Sequence, residues 1–322
     1  MIVDGPYLED LVPGTVLTAP SITLDEGAQA VHRSILGDRL PVYLDATLSE
    51  AVTGSRLAHP GLVWDVAIGQ SSVATRQVVA NLFYRGLALR RPPALGDTLT
   101  SSTEVRGRRV AGDRPDRPPR GLVVLRTVTC DQDGRTVLDF ERCALVARRD
   151  AGAVVPDSDW REPTPLDDAP TTQPPAWLEG WDLGALSARL SRFSPTPPVG
   201  TELRLAAGDV VSGAPELARL TLNIAAVHHD RGETERLVYG GHTVGIALGQ
   251  AARALPRLAT VTGWRGCDHL GPVHEGDTLH SLVSIVASRP VAEGVGLLTV
   301  RSQVVADGGR PVLDWTFEGL AA

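Results

Sequence analysis

Cysteine is scarce in this chain: three residues in 322, Cys130, Cys143 and Cys267. So few thiols, odd in number, exclude a disulfide framework, and no Cys-x-x-Cys pair offers a zinc site. Reduced thiols in a cytoplasmic compartment are expected. No unbroken apolar run approaches the roughly 20 residues that span a bilayer. The N-terminus has no basic stretch followed by an apolar one, so no signal peptide is expected. Positive charge is not in excess: 31 Lys and Arg stand against 38 Asp and Glu, for a net charge of −7, without a cationic run. That gives no general attraction to nucleic acid. What remains, 43% hydrophobic and 21% charged, is the composition of a folded globular protein. The length suits two domains, each able to bury a core.

What the chain does have is a copy of itself. Gly61-Leu-Val-Trp-Asp-Val-Ala-Ile-Gly-Gln70 returns as Gly241-His-Thr-Val-Gly-Ile-Ala-Leu-Gly-Gln250, an offset of 180 residues. The offset holds through Arg85-Gly86 against Arg265-Gly266 and Gly96-Asp-Thr-Leu99 against Gly276-Asp-Thr-Leu279. After a small length change, Gly134-Arg-Thr-Val-Leu-Asp139 matches Gly309-Arg-Pro-Val-Leu-Asp314. Upstream, Pro13-Gly-Thr-Val-Leu17 echoes Val199-Gly-Thr-Glu-Leu203. This spacing far exceeds solenoid periods of about 20–50 residues and reads as a domain duplication. The units are 1–149 and 179–322, joined by a linker at 150–178 rich in Pro, Asp and Thr.

In the first unit the pattern predicts a strand at 15–17 and a helix at 27–36, opened by a capping box at Thr23-Leu-Asp-Glu26. A loop at 36–45 and a long buried helix at 62–77 follow. Strands are expected at 80–89, 97–106, 121–131 and 135–148, with a Pro-rich hairpin loop at 113–120. The second unit repeats the order: a strand at 201–205, a variable loop, a helix at 240–255, then strands at 259–267, 277–288, 294–306 and 310–318.

This order makes an α+β unit and resembles the hotdog fold, in which a curved antiparallel sheet wraps one long helix. Ala58-His-Pro-Gly61, Val238-Tyr-Gly-Gly-His242 and the two Gly-Asp-Thr-Leu words resemble the MaoC-like hydratase/dehydratase family in its double-hotdog, single-chain form. The 220–230 and 236–242 segments add a likeness to its mesaconyl-CoA hydratase (methylmalyl-CoA dehydratase) branch. The resemblance implies a fused pseudo-dimer, monomeric or homodimeric, acting on a small or branched enoyl- or 3-hydroxyacyl-CoA. CoA belongs to the substrate, and no separate cofactor is expected. Nucleic acid and membrane partners are not expected.

The chemistry so implied needs a group that exchanges protons at the α- and β-carbons and a donor for the enolate-like thioester oxygen. The family uses Asp-x-x-x-x-His for the first and a backbone N–H at the start of the central helix for the second. The first copy offers Asp38 and, at the His position, Tyr43. A phenol of reference pKa about 10 is a poor base, so either Asp38 serves alone or this copy is structural. The second copy offers Asn223 at the Asp position and His228 at the His position, followed by His229. Imidazole suits proton exchange near neutrality, and an amide can hold water; the bland reading is a solvated loop. His59, Gly61, Tyr239, Gly240, Gly241 and His242 flank the two helix starts and are the oxyanion and substrate-binding candidates. Arg85 and Arg265 recur at matched positions as CoA phosphate contacts or as surface ion pairs. Six of the eight histidines fall in the second half, but none has diagnostic zinc spacing, so no metal is expected. Cys267-Asp268-His269 either faces the substrate tunnel or a subunit contact, or closes a local hydrogen-bond network. Two other functions stay open: a non-catalytic acyl-CoA-binding protein that lost its Asp/His pair, and a thioesterase using Asp38, Asp45 or Glu216 to activate water.

Overall fold

A computed structural model describes residues 4–112, 117–156, 158, 173–230 and 236–322. The first unit runs β1 (Val16–Thr18), β2 (Ile22–Thr23), α1 (Glu26–Leu36), α2 (Pro41–Leu44), α3 (Ala46–Thr53), α4 (Pro60–Ser71), β3 (Val78–Leu89), β4 (Thr98–Val110), β5 (Arg120–Cys130) and β6 (Thr136–Ala147). The second runs α5 (Leu183–Leu190), β7 (Glu202–Arg204), β8 (Asp209–Val210), α6 (Ala214–Leu220), α7 (Gly240–Ala254), β9 (Leu258–His269), β10 (Thr278–Ala292), β11 (Val295–Ala306) and β12 (Arg310–Ala321). The main strands form one antiparallel sheet in the order β1-β4-β5-β6-β3-β9-β12-β11-β10-β7. It is two copies of one sheet, joined edge to edge where β3 pairs with β9 in the register Tyr84↔Cys267 and Arg85↔Gly266. This is the α+β double hotdog expected.

Local chemistry sets the helix limits. Asp25, not Thr23, caps α1: its side chain accepts from the Ala28 amide, and Gly37 closes the helix at φ 70°. Thr23 is diverted into β2, where its hydroxyl meets that of Thr98, so the expected capping box does not form. Asp45 caps α3 through the Thr47 and Leu48 amides. The segment expected to be loop before it contains α2, with Pro41 preset for a first helical turn. Every residue of α4 is buried, which explains an apolar run without a stripe. The helix ends at Ser71, short of 77, and a 3-10 turn over Ser72–Ala74 delivers the chain to β3. The variable loop of the second unit contains α6, with Pro215 in its first turn. Residues 113–116 of the expected hairpin loop and most of the linker lie outside the described residues. Where description resumes, Trp177 donates its indole N–H to the Leu89 carbonyl and the Asp182 amide bonds the Val52 carbonyl. Thus α5 starts against the first unit.

The central helices α4 and α7 lie inside the curved sheet, and one apolar core runs through both units. An aromatic ladder spans the join: Trp64 to Trp264 at 5.0 Å, Trp264 to Trp315 at 5.6 Å, and Trp315 stacked on Phe317 at 4.2 Å. A chain with few aromatics spends them where its halves meet.

Candidate active site

Duplication creates two related places where a loop of one unit meets the far end of the other unit's central helix. The two have diverged. In the first, Asp38 is consumed: its carboxylate accepts from the Leu40 amide and sits 2.8 Å from His59 Nε2. Burial alone would raise the Asp38 carboxyl, but His59, the Leu40 amide and His32 outweigh it and hold the carboxyl below the usual range. His59 Nδ1 in turn accepts from the Gly61 amide at 3.0 Å, so the N–H expected to meet a thioester oxygen already has a partner. Tyr43 is buried, its hydroxyl 2.5 Å from Thr260 of the other unit, and burial raises its phenol well above the ordinary value. Asp38, Tyr43, His59 and Gly61 thus form a closed hydrogen-bonded plug, not the expected acid/base and oxyanion set.

The second place is open. A cavity of about 280 Å³ is lined by Asn223, His228, Tyr239 and Gly240 from the second unit and by Ser72, Thr75, Asn81, Tyr84 and Arg142 from the first. His228 Nδ1 lies 2.8 Å from the Leu237 carbonyl. A carbonyl only accepts, so Nδ1 carries the proton and a neutral ring has its lone pair on Nε2. Burial, opposed by the Leu237 carbonyl and aided by His229 and Arg142, lowers the His228 pKa to about 4; the ring is neutral at pH 7. Asn223 Oδ1 accepts from the Ala225 amide at 3.0 Å, which fixes the side-chain amide so that its NH2 remains to donate. The Gly240 amide has no acceptor among the described residues, as expected in the first turn of a helix. Tyr239, directly before α7, donates its hydroxyl to the Asp65 carbonyl at 3.1 Å. Asp65 also meets His32 at 3.0 Å, which ties the start of α7 to the first unit.

The other expected residues lie elsewhere. His229 is bound to the Asn223 carbonyl at 2.5 Å and does not reach the cavity. Gly241 and His242 are buried behind the lining, and among the described residues both ring nitrogens of His242 lack partners. Arg85 pairs with Asp268 at 2.7 Å and Arg265 with Glu318 at 2.9 Å; neither lines the cavity, so neither is placed as a CoA contact there. The 267–269 triplet divides. Cys267 is buried, Asp268 holds Arg85, and His269 lines the cavity with its Nε2 enclosed and unpartnered. Sequence reasoning missed Arg142, although a signal existed: it occupies an inward phase of alternating β6, between Phe140 and Ala144.

Whole-chain likenesses agree with the fold. A conserved hypothetical protein of Mycobacterium tuberculosis with a double hotdog fold superposes with a TM-score of 0.85, at 48% identity over 100% of both chains. A MaoC domain protein from Chloroflexus aurantiacus matches with a TM-score of 0.80, at 22% identity over 98% of this chain and 97% of that one. Two curated enzymes align over nearly all of this chain. The β-methylmalyl-CoA dehydratase of Chloroflexus aurantiacus is 24% identical over 97% of this chain and 91% of its own. The mesaconyl-CoA hydratase of Cereibacter sphaeroides is 27% identical over 98% and 93%. The chain has the double-hotdog fold of the first of these and is similar over nearly its whole length to the two CoA-ester enzymes. No family model matches it. It departs from the MaoC-like Asp/His frame in both copies, with Tyr43 in one and Asn223 in the other. Among the described residues, no group of three His, Cys, Asp or Glu is placed to hold a metal, and no helix is long and apolar enough to cross a membrane.

Proposed function

We propose that this protein is a hydratase/dehydratase of a small or branched enoyl- or 3-hydroxyacyl-CoA, working in the second-unit cavity. The observation that carries the reading is the His228 ring: Nδ1–H is fixed on the Leu237 carbonyl, which leaves Nε2 as a lone pair in a cavity that Gly240 also lines. In hydration, water adds its oxygen to Cβ while His228 Nε2 takes the proton; the imidazolium returns a proton to Cα. The Asn223 NH2 holds the water or hydroxyl oxygen. The thioester oxygen gathers negative charge at the α7 start, where the free amide and the helix dipole favour it. Among the described residues no Asp or Glu lines the cavity, which leaves a thioesterase there without a described carboxylate. The same fact favours binding without turnover as the second reading.

The test is absorbance at the enoyl-thioester band on mixing with crotonyl-CoA and mesaconyl-CoA, with free thiol followed in parallel. The expected result is loss of the band without thiol release, slowed about 10²–10⁴-fold in His228→Ala. Thiol release would sink the hydratase reading. Calorimetric binding with an unchanged spectrum would turn it to the non-catalytic one.

A further inference from the structure

His269, the last residue of β9, lines the open cavity, and among the described residues its enclosed Nε2 has no hydrogen-bond partner. The Cε1–Nε2 edge of the ring lies against the start of α7: a Cβ added to Gly240 would stand 2.8 Å from both atoms. No side chain fits there, so this close approach is what demands glycine at 240. The Cβ position and the nitrogen of one residue are about 2.5 Å apart, which puts Nε2 within roughly 5 Å of the Gly240 amide nitrogen. One oxygen that accepts from two N–H groups at about 2.9 Å each needs their nitrogens no more than about 6 Å apart. The Gly240 amide and the His269 ring are therefore near enough to share a single acceptor.

The duplication provides an internal control. The 180-residue offset sets Pro60 opposite Gly240 and Leu89 opposite His269. The structure keeps the correspondence: α4 and α7 begin at Pro60 and Gly240, and β3 and β9 end at Leu89 and His269. Proline has no N–H, and a leucine side chain has no polar atom. The plugged copy thus lacks both groups, and its helix and strand form without them. Both groups are present together beside the open cavity. Burial holds the His269 ring neutral at pH 7, so it carries one N–H. Among the described residues no carbonyl fixes that proton on Nδ1, as Leu237 does for His228.

We propose that His269 is a catalytic residue whose Nε2–H is the second donor, beside the Gly240 N–H, to the thioester oxygen. This rests on the CoA-thioester reading above. As water adds to Cβ, the C=C electron pair moves toward the thioester carbon and the oxygen gains negative charge. Protonation at Cα takes that pair back, and the charge is gone. Two donors already aimed at the oxygen stabilise the charge without giving up a proton. The cavity's two histidines then divide the work by tautomer: His228 presents a lone pair at Nε2, and His269 presents a proton there.

The experiment measures kcat and KM for hydration of crotonyl-CoA and mesaconyl-CoA by the wild-type protein, His269→Leu and His269→Gln. Leucine is what the other copy carries at this place, and glutamine keeps an N–H. His269→Leu is expected to lose about 10²–10³ in kcat with KM changed less than about threefold, because the donor acts on charge that exists only in the transition state. His269→Gln is expected to recover at least about tenfold of that loss. A wild-type kcat in His269→Leu, or a loss confined to KM, would overturn the donor. Should that variant fail to fold, Gly240→Ala decides: it keeps its own N–H but crowds the ring, and an unchanged kcat there would overturn the pairing. If the wild type hydrates neither ester, the infrared carbonyl band of bound butyryl-CoA separates the two claims. A band lowered on the wild type and returned toward its free position on His269→Leu keeps the donor pair while the reaction is withdrawn. The same band on both removes His269 as donor, and no binding removes both claims.

Discussion

Three histidine rings carry a pH dependence that can be worked out in advance. Burial lowers His228, His242 and His269 each from 6.5 to about 4. In the folded chain they stay neutral until about pH 4, whereas unfolded they protonate near 6.5. Below pH 6.5 the unfolded state therefore binds more protons, and stability falls as pH drops from about 6.5 to 4, with the full value above 6.5. One pKa unit corresponds to about 1.4 kcal/mol. His242 isolates the effect, since it lies outside the cavity lining and neither ring nitrogen has a hydrogen-bond partner among the described residues. His242→Leu is expected to shrink the stability lost between pH 7 and pH 5 by about 2 kcal/mol. Urea unfolding at the two pH values measures this; an unchanged loss would mean that the ring is not held neutral.

At the scale of elements, the repeated Gly-Gln pair of the central helices explains how each unit positions the other's loop. A Cβ on Gly69 of α4 would lie 1.9 Å from the Thr221 carbonyl oxygen, and one on Gly249 of α7 would lie 2.9 Å from that of Leu36. Each glycine thus admits the backbone of the opposite unit just before the motif residues, Asn223 in one case and Asp38 in the other. The partner glutamines anchor the same helices, with Gln70 donating to the Leu99 carbonyl at 3.0 Å and Gln250 to that of Leu279 at 2.8 Å. Alanine ordinarily improves a helix by up to about 1 kcal/mol. Here Gly69→Ala is expected to cost about 3 kcal/mol through the clash with Thr221, and Gly249→Ala clearly less. Thermal midpoints measure the order; a stabilised Gly69→Ala would show that the units are not packed this closely.

The whole molecule is one cooperative body built from two copies. Its sheet is continuous through the β3–β9 pairing, its core is shared, and its open cavity takes walls from both units. A separated half would expose a strand edge and the Trp64 or Trp264 face of the aromatic ladder. Residues 1–156 and 173–322, expressed separately, are therefore expected to be insoluble alone and soluble together, by size-exclusion chromatography and circular dichroism. A half that is soluble and folded alone would refute this.

The duplication, the central helices and the main strands were legible in the sequence, because a repeat and hydrophobic periodicity are local and survive without tertiary knowledge. The helix-start words were legible for the same reason, whereas the Asn223–His228 frame came only through the family resemblance. Short helices such as α2 and α6 were not, since they are fixed by a proline and by packing on another unit rather than by periodicity. Which copy is open was decided only in three dimensions. His59 turns back on the Gly61 amide, and Tyr43 reaches Thr260, 217 residues away; no spacing along the chain encodes such a contact. Arg142 lies between the two cases. Its inward phase in β6 and its replacement by Phe317 in the second copy are written in the sequence. That it faces His228's cavity depends on two units closing on each other, and so belongs to the tertiary structure.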